Sequence, residues 1–316
     1  MTQAKVVALS GGVGGAKLAL GLRDVLPPGA LTVIVNTADD FDHLGLRISP
    51  DVDTLVYTLA GLANRELGWG RQGETWQMME ALAALGGPDW FRLGDQDLAL
   101  HLWRGDQLRQ GRRLTEVTLD CALRLGTGAA ILPMTDDPVA TILDTDEGRM
   151  EFQPWFVGRR AEPKLRTIHY QGAEAARPAP EVLAALADPD LEGILICPSN
   201  PWLSVAPILA VPGLTQAIRD SGRPVIVVSP LIGGQAVKGP TAKLLQDLGV
   251  TPGFAAIRDY YDTLVDGYVV DDVDLREARQ HSRHEVAATA TLMLSEDDKR
   301  RVARVALDLL RKLRHG

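Results

Sequence analysis

Apolar residues follow two patterns along the chain. Five short runs are rich in Val and Ile: KVVALS (5–10), LTVIVN (31–36), GILICP (193–198), PVIVVSP (224–230) and GYVVDD (267–272). None alternates with polar positions, which marks strands buried on both faces of a parallel sheet. Helical spacing governs AKLALGLRDVL (16–26), DTLVYTLAGLAN (53–64), ETWQMMEALAAL (74–85) and PTAKLLQDLG (240–249). SEDDKRRVARVALDLLRKL (295–313) opens on Ser295 as an N-cap, with acids in its first turn. It closes on basic residues, as the helix dipole favours. Strand and helix alternate at both ends of the chain. This predicts an α/β fold: a Rossmann-like, doubly wound, mostly parallel sheet with helices on both faces.

Residues 65–125 break the alternation. They are helix-rich and hold Trp69, Trp76, Trp90 and Trp103 without a strong strand run. We expect one domain over 1–316, with this stretch as a helical insertion forming a lid over the ligand edge of the sheet. Residues 128–171 read as β-rich connections, with TDDPVATILDTDEG as a hairpin.

Charge and cysteine content narrow the function classes. A formal net charge of -8 argues against nucleic-acid or membrane-surface binding, which needs a basic face. Two cysteines, Cys121 and Cys197, make neither a disulfide framework nor a zinc pattern, and fit a reduced, cytoplasmic setting. Cys197 reads as a packed thiol. The N-terminus has no signal pattern, and no apolar run reaches the ~18–20 residues of a membrane span.

The first strand runs into G-G-x-G-G-x-K: Gly11, Gly12, Gly14, Gly15 and Lys17. This is neither a P-loop, which needs Ser or Thr after the lysine, nor G-x-G-x-x-G. The physics is shared: glycine backbone and a helix N-terminus can receive an anion, and Lys17 adds charge. The second strand runs into TADDFDHLGLRISPDVDT (37–54), which holds Asp39, Asp40, Asp42, Asp51 and Asp53, with His43 and Arg47 among them. Carboxylates beside a phosphate site call for a cation, and oxygen donors favour Mg2+ or Mn2+. One carboxylate can also act as general base towards a hydroxyl nucleophile. Asp51 or Asp53 is equally well placed to cap the helix that follows.

Other stretches add candidates. RLGDQDLALH (92–101) offers Arg92, Asp95, Asp97 and His101, and reads equally as a capped helix with a solvated face. ILPMTDDPV repeats a Thr-Asp-Asp signature that a turn explains as well as a site does. Two later strand ends, ICPSNPW and VVSPLIGGQAVKGP, place Ser199, Asn200, Ser229 and Lys238 where a nucleotide or phosphate can be met.

In this order, SGGVGGAKLALGL, VNTADDFDHLGLRISPDVDTLVYTLAG, RLGDQD, ILPMTDDPV, CPSNP and SPLIGGQAVKGP resemble the 2-phospho-L-lactate transferase family of coenzyme F420 biosynthesis. The likeness covers the chain to at least Asp272. It implies an Mg2+-dependent transferase that joins a phospho-acid to the ribityl hydroxyl of the deazaflavin Fo. The donor is the acid linked to guanosine diphosphate, and GMP leaves; the acid is 2-phospho-L-lactate, phosphoenolpyruvate or 3-phosphoglycerate. By this resemblance the glycine loop, Lys17, Asn36, Ser199, Asn200 and Ser229 hold the donor. Asp39, Asp40, Asp51 and Asp53 ligate the metal. Asp53, Arg92 and His43 meet Fo, and Asp53, Asp51 or Asp40 assists catalysis. A homodimer is also implied.

Two rival readings stand beside it. A distant group with a similar glycine loop binds nucleotide-sugars as a non-catalytic regulator; SPDVDT together with RLGDQD favours transfer. An NAD-dependent oxidoreductase predicts G-x-G-x-x-G and an acid ending the second strand, where this chain has Asn36.

Overall fold

A computed structural model of the chain describes residues 4–236 and 240–315. Lys238 lies outside the described residues. The centre is a seven-stranded sheet: β1 (Lys5–Ser10), β2 (Leu31–Val35), β3 (Ala130–Pro133), β4 (Leu191–Ile196), β5 (Val225–Val228), β6 (Gly267–Val270) and β7 (Glu285–Ala288). Every pairing is parallel, in the order β7-β6-β5-β4-β1-β2-β3.

The continuous apolar runs are explained by burial on both faces. Val6, Ala8, Val33, Val35, Ile131, Leu195, Ile226, Val228 and Val269 face one hydrophobic cluster. Their neighbours Val7, Leu9, Ile34, Leu132, Ile194, Ile196, Val225, Val227, Tyr268 and Val270 face the other. The side-chain period of two is intact, but polarity does not reveal it because neither face meets water. All five strand runs read from sequence are present. β3 reads from sequence only as a strand end within the β-rich connections, and β7 is not read as a strand at all. Both are short edge strands, and β7 has an exposed residue followed by three half-buried ones, so its sequence EVAA lacks the apolar signature.

On the first face pack α1 (Gly12–Val25), α2 (Pro50–Leu59) and the C-terminal helix Glu296–His315. Helix α2 starts three residues earlier than its apolar pattern, with Pro50 at its first position and Ser49 as N-cap. Neither Asp51 nor Asp53 therefore caps it, contrary to that sequence reading; both lie inside the first turn.

Residues 65–125 supply α3 (Gln77–Ala84), α4 (Asp95–Arg109) and α5 (Leu114–Arg124). Val117, Cys121 and Ala122 of α5 are buried, and the latter two join the main cluster. Helix α3 belongs to a separate cluster of Phe41, Ile48, Met79 and Leu93, flanked by Trp76, Trp90 and Phe91. That cluster joins the helical stretch to the hairpin Phe41–His43/Leu46–Ile48 of the acidic loop. The expected hairpin after β3 is Ala140–Thr145 paired with Gly148–Glu151. Among the described residues, no single helix is long and apolar enough to cross a membrane.

Candidate active site

The strand order reverses at β1. Beta2 lies on one side of it and β4 on the other, so the loops after β1 and β4 diverge over a crevice at the carboxyl edge. Open α/β sheets bind ligands there. The glycine loop leaves β1, the Pro198-Ser199-Asn200 loop leaves β4, and the acidic loop leaves β2.

These loops are bonded to one another. Gly12 has φ 66°, a left-handed conformation that favours glycine. Gly14 passes so close to the neighbouring loop that a β-carbon there would stand 2.4 Å from the Pro198 carbonyl oxygen. The Gly11 N–H donates to Ser199 Oγ at 3.3 Å, and Ser199 Oγ donates to the Gly11 carbonyl at 2.7 Å. Gly15 is buried in the first turn of α1.

Asp51 is the hub. Its Oδ1 accepts from the Gly12 N–H at 2.7 Å, and its Oδ2 accepts from Asn36 Nδ2 at 3.0 Å. A carboxylate from α2 thus sits on the N-terminus of α1, where the helix dipole favours negative charge. Asn36 also donates to the Leu203 carbonyl, tying β2 to the loop after β4, and accepts from the Ala38 N–H within its own loop.

Asp42 is exposed, whereas Asp39 and Asp40 are buried with Asp51. Burial, with the charge of Asp51 next, pushes the Asp39 carboxyl well above its usual range; Thr141 Oγ1 donates to it at 3.2 Å. Burial raises Asp51 to about 6, against the stabilising bonds from Asn36 and Gly12. Burial raises Asp40 to about 7, opposed by Arg47 at 3.7 Å and by the Ser49 hydroxyl, which donates to Oδ2 at 2.7 Å. Asp40 Oδ1 is buried without a hydrogen-bond partner among the described residues.

Asp53, whose charge still reaches Asp40, takes a different partner. Arg104 of α4 grips both its oxygens, through Nη1 to Oδ2 at 3.1 Å and Nη2 to Oδ1. Arg104 is not among the residues the sequence singles out, and the stretch 92–101 reads equally as a site and as a capped helix with a solvated face. The signal lay in spacing. Asp97, His101 and Arg104 are i, i+4 and i+7 and share one helix face, which is buried against α2. Asp95 serves structure: it accepts from the Gln77 and Met78 N–H groups at the start of α3. Glu74 returns the arrangement at the start of α4.

His43 is buried among Trp90, Phe91 and Phe41, with ring centroids 5.3, 5.7 and 6.0 Å away. Burial lowers its pKa, opposed by a backbone hydrogen bond to Phe91, and its Nε2 is buried unpartnered among the described residues. Arg92 stacks over Trp76, 4.1 Å from the ring centroid.

Four candidates are engaged elsewhere. Lys17 Nζ donates to the Met293 carbonyl at 2.9 Å. Asn200 accepts from the Trp202 and Leu203 N–H groups, capping the turn Pro201–Val205, and donates to Thr241. Ser229 bonds within its own turn, to Leu231. The second Thr-Asp-Asp serves turns as well, with Asp136 accepting from Arg113 and from the Thr115 N–H. Cys197 is a packed thiol that burial pushes up to about 12.

A divalent cation meets a mixed donor set. Among the described residues no three His, Cys, Asp or Glu groups converge to hold a metal. Mg2+, however, typically takes one or two carboxylates and completes its shell with waters and substrate phosphates. Asp39 and Asp51, two buried carboxylates of which the Asp51 charge raises the proton affinity of Asp39, fit that description; Asp53, held on both oxygens by Arg104, does not.

A model of the family described as 2-phospho-L-lactate transferase CofD matches residues 6–310. The chain belongs to that family. A phosphoenolpyruvate transferase of Streptomyces coelicolor is 41% identical over 99% of this chain and 100% of that protein. A 2-phospho-L-lactate transferase of Methanosarcina mazei is 36% identical over 96% and 99%. A crystal structure of a UPF0052-family protein from Bacillus halodurans superposes with a TM-score of 0.60 at 16% identity, covering 98% of this chain and 99% of that one. It supports the fold alone.

Proposed function

We propose that this protein transfers a phospho-acid from its guanosine-diphosphate-linked form to the terminal ribityl hydroxyl of Fo, releasing GMP, in coenzyme F420 biosynthesis. The observation that carries the reading is the joining of glycine loop, Ser199 loop and acidic loop at the sheet's switch point, in a chain matched by the transferase family over 6–310. Phosphoenolpyruvate is the acid to test first, because the Streptomyces coelicolor phosphoenolpyruvate transferase shares slightly more identity, 41%, than the 2-phospho-L-lactate transferases of Methanosarcina mazei, 36%, and Methanopyrus kandleri, 39%.

In this reading the donor lies across the crevice, its diphosphate against the N-terminus of α1. The Fo hydroxyl attacks the phosphorus that bears the acid. A new P–O bond forms in line with the P–O bond to GMP, which breaks. The hydroxyl proton passes to a carboxylate of the acidic loop, with Asp53 the first to test. Asp39 and Asp51 would hold Mg2+, which supplies charge neutralisation on the diphosphate. The rest of catalysis is positioning. The aromatic cluster around His43 would give the deazaflavin ring an apolar wall. We take the working form to be a homodimer.

The test is a fluorescence titration of the purified protein with Fo, with and without Mg2+ and GDP. Saturable binding supports the acceptor assignment. Absence of binding under every condition removes the transferase reading and leaves nucleotide-sugar binding.

A further inference from the structure

Helix α2 presents two acids in its first turn to opposite partners. Asp51 bonds to the glycine loop through the Gly12 N–H. Asp53 bonds to α4 through Arg104. One turn on, Tyr57 Oη donates to Asp97 Oδ1 of α4 at 2.5 Å. His101 sits between the two contacts, with Nδ1 3.8 Å from Asp53 and Nε2 3.3 Å from Asp97. Arg104 is 3% exposed and Asp53 6%. Its guanidinium also reaches the Arg47 carbonyl, at 3.4 Å, in the hairpin that carries His43.

A buried Arg–carboxylate fork is costly to desolvate and a poor source of stability compared with apolar packing. It does fix orientation, because the planar donors match both carboxylate oxygens at once. Here it fixes three things: the Asp53 carboxylate, the register of α4 against α2, and the base of the His43 hairpin. We propose that Arg104 is a positioning residue for the transfer reaction. It holds Asp53 and sets the acceptor side, carried on α4 and the hairpin, against the donor side, carried on the glycine loop. This rests on the functional reading above, in which Asp53 and His43 face Fo.

The decisive variants are Arg104→Lys, Asp53→Asn, and their combination. Lysine keeps the charge and loses the fork. Misplacement by about 1 Å costs on the order of 10²-fold in rate. Arg104→Lys is therefore expected to bind Mg2+-GDP as the wild type does, with kcat about 10²-fold lower and the Fo KM changed far less. Because both residues act as one unit, the double variant falls no further than Asp53→Asn alone. If Arg104→Lys folds poorly, the pair Arg104→Met/Asp53→Asn removes both buried charges and is compared with Asp53→Asn in the same way. A kcat within about threefold of wild type in folded Arg104→Lys, beside a lowered melting temperature, overturns the proposal and leaves a structural ion pair. Additive losses in the double variant overturn it as well. A wild-type protein that neither binds nor modifies Fo overturns the functional reading, and this assignment with it; that outcome is recognised without any variant.

Discussion

Asp40→Asn separates the cost of a buried charge from the rest of the acidic loop. Asp40 is held up at about 7, against an ordinary value of 3.8, chiefly by burial. The folded state keeps this proton over a range where the unfolded chain has released it. Stability from this group is therefore fully present below about pH 4, is lost as pH rises, and is gone above about pH 7. Integrating the linkage between pH 5 and pH 8 gives a loss on the order of 2–3 kcal/mol from this one group. Asparagine cannot ionise and keeps an acceptor for the Ser49 hydroxyl, so the variant lacks that slope. Its amide also puts a donor where Oδ1 has no partner among the described residues, a penalty of about 1–3 kcal/mol that does not depend on pH. Urea denaturation of both proteins in chelator, from pH 5 to pH 8, reads the difference directly. The variant is expected to gain about 2–3 kcal/mol on wild type between the two ends. Parallel profiles, differing by less than about 0.5 kcal/mol in that span, refute the claim that burial makes Asp40 keep its proton into the neutral range.

Other perturbations test separate parts of the account. Gly14→Ala drives a methyl group into the Pro198 carbonyl and is expected to cost about 1–3 kcal/mol, with weaker GDP binding by calorimetry; unchanged binding would detach the loop pair from the nucleotide. Tyr57→Phe removes the hydroxyl that binds Asp97, and a loss of about 1.5–3 kcal/mol in thermal unfolding is expected, as for a bond to a charged group. His43→Leu keeps the apolar volume, so stability should stay within about 1.5 kcal/mol while the Fo KM rises; an unaltered KM removes His43 from the acceptor pocket.

The central sheet was legible because strands buried on both faces write themselves as unbroken Val and Ile runs. The edge strand Glu285–Ala288 was not, since its side chains are half-buried or exposed and its sequence carries no such run. The glycine loop and the acidic loop were legible as composition, and the sheet order brings them together. What composition could not give is which partner each acid takes. Asp51 and Asp53 are two residues apart, so they leave the helix on faces about 200° apart. One reaches the glycine loop and the other a buried arginine 51 positions away. Arg104 was hidden because the charged residues of α4 lie on two opposite sides, Asp97 and Arg104 on one and Asp95, Asp106 and Arg109 on the other, so its buried face has no apolar stripe to announce it. Asn200 and Ser229 were placed correctly at strand ends, but strand ends also need caps and turns, and there those side chains are spent.

The most direct test of the central claim is a transfer assay. Purified protein is incubated with Fo, Mg2+ and guanosine-diphosphate-linked phosphoenolpyruvate, 2-phospho-L-lactate or 3-phosphoglycerate in turn, and products are followed by mass spectrometry. The account predicts a phospho-acid ester of Fo and GMP in equal amounts with at least one donor, and neither when Mg2+ is removed. Intact donor and unmodified Fo in all three mixtures, from protein shown to be folded, would contradict it.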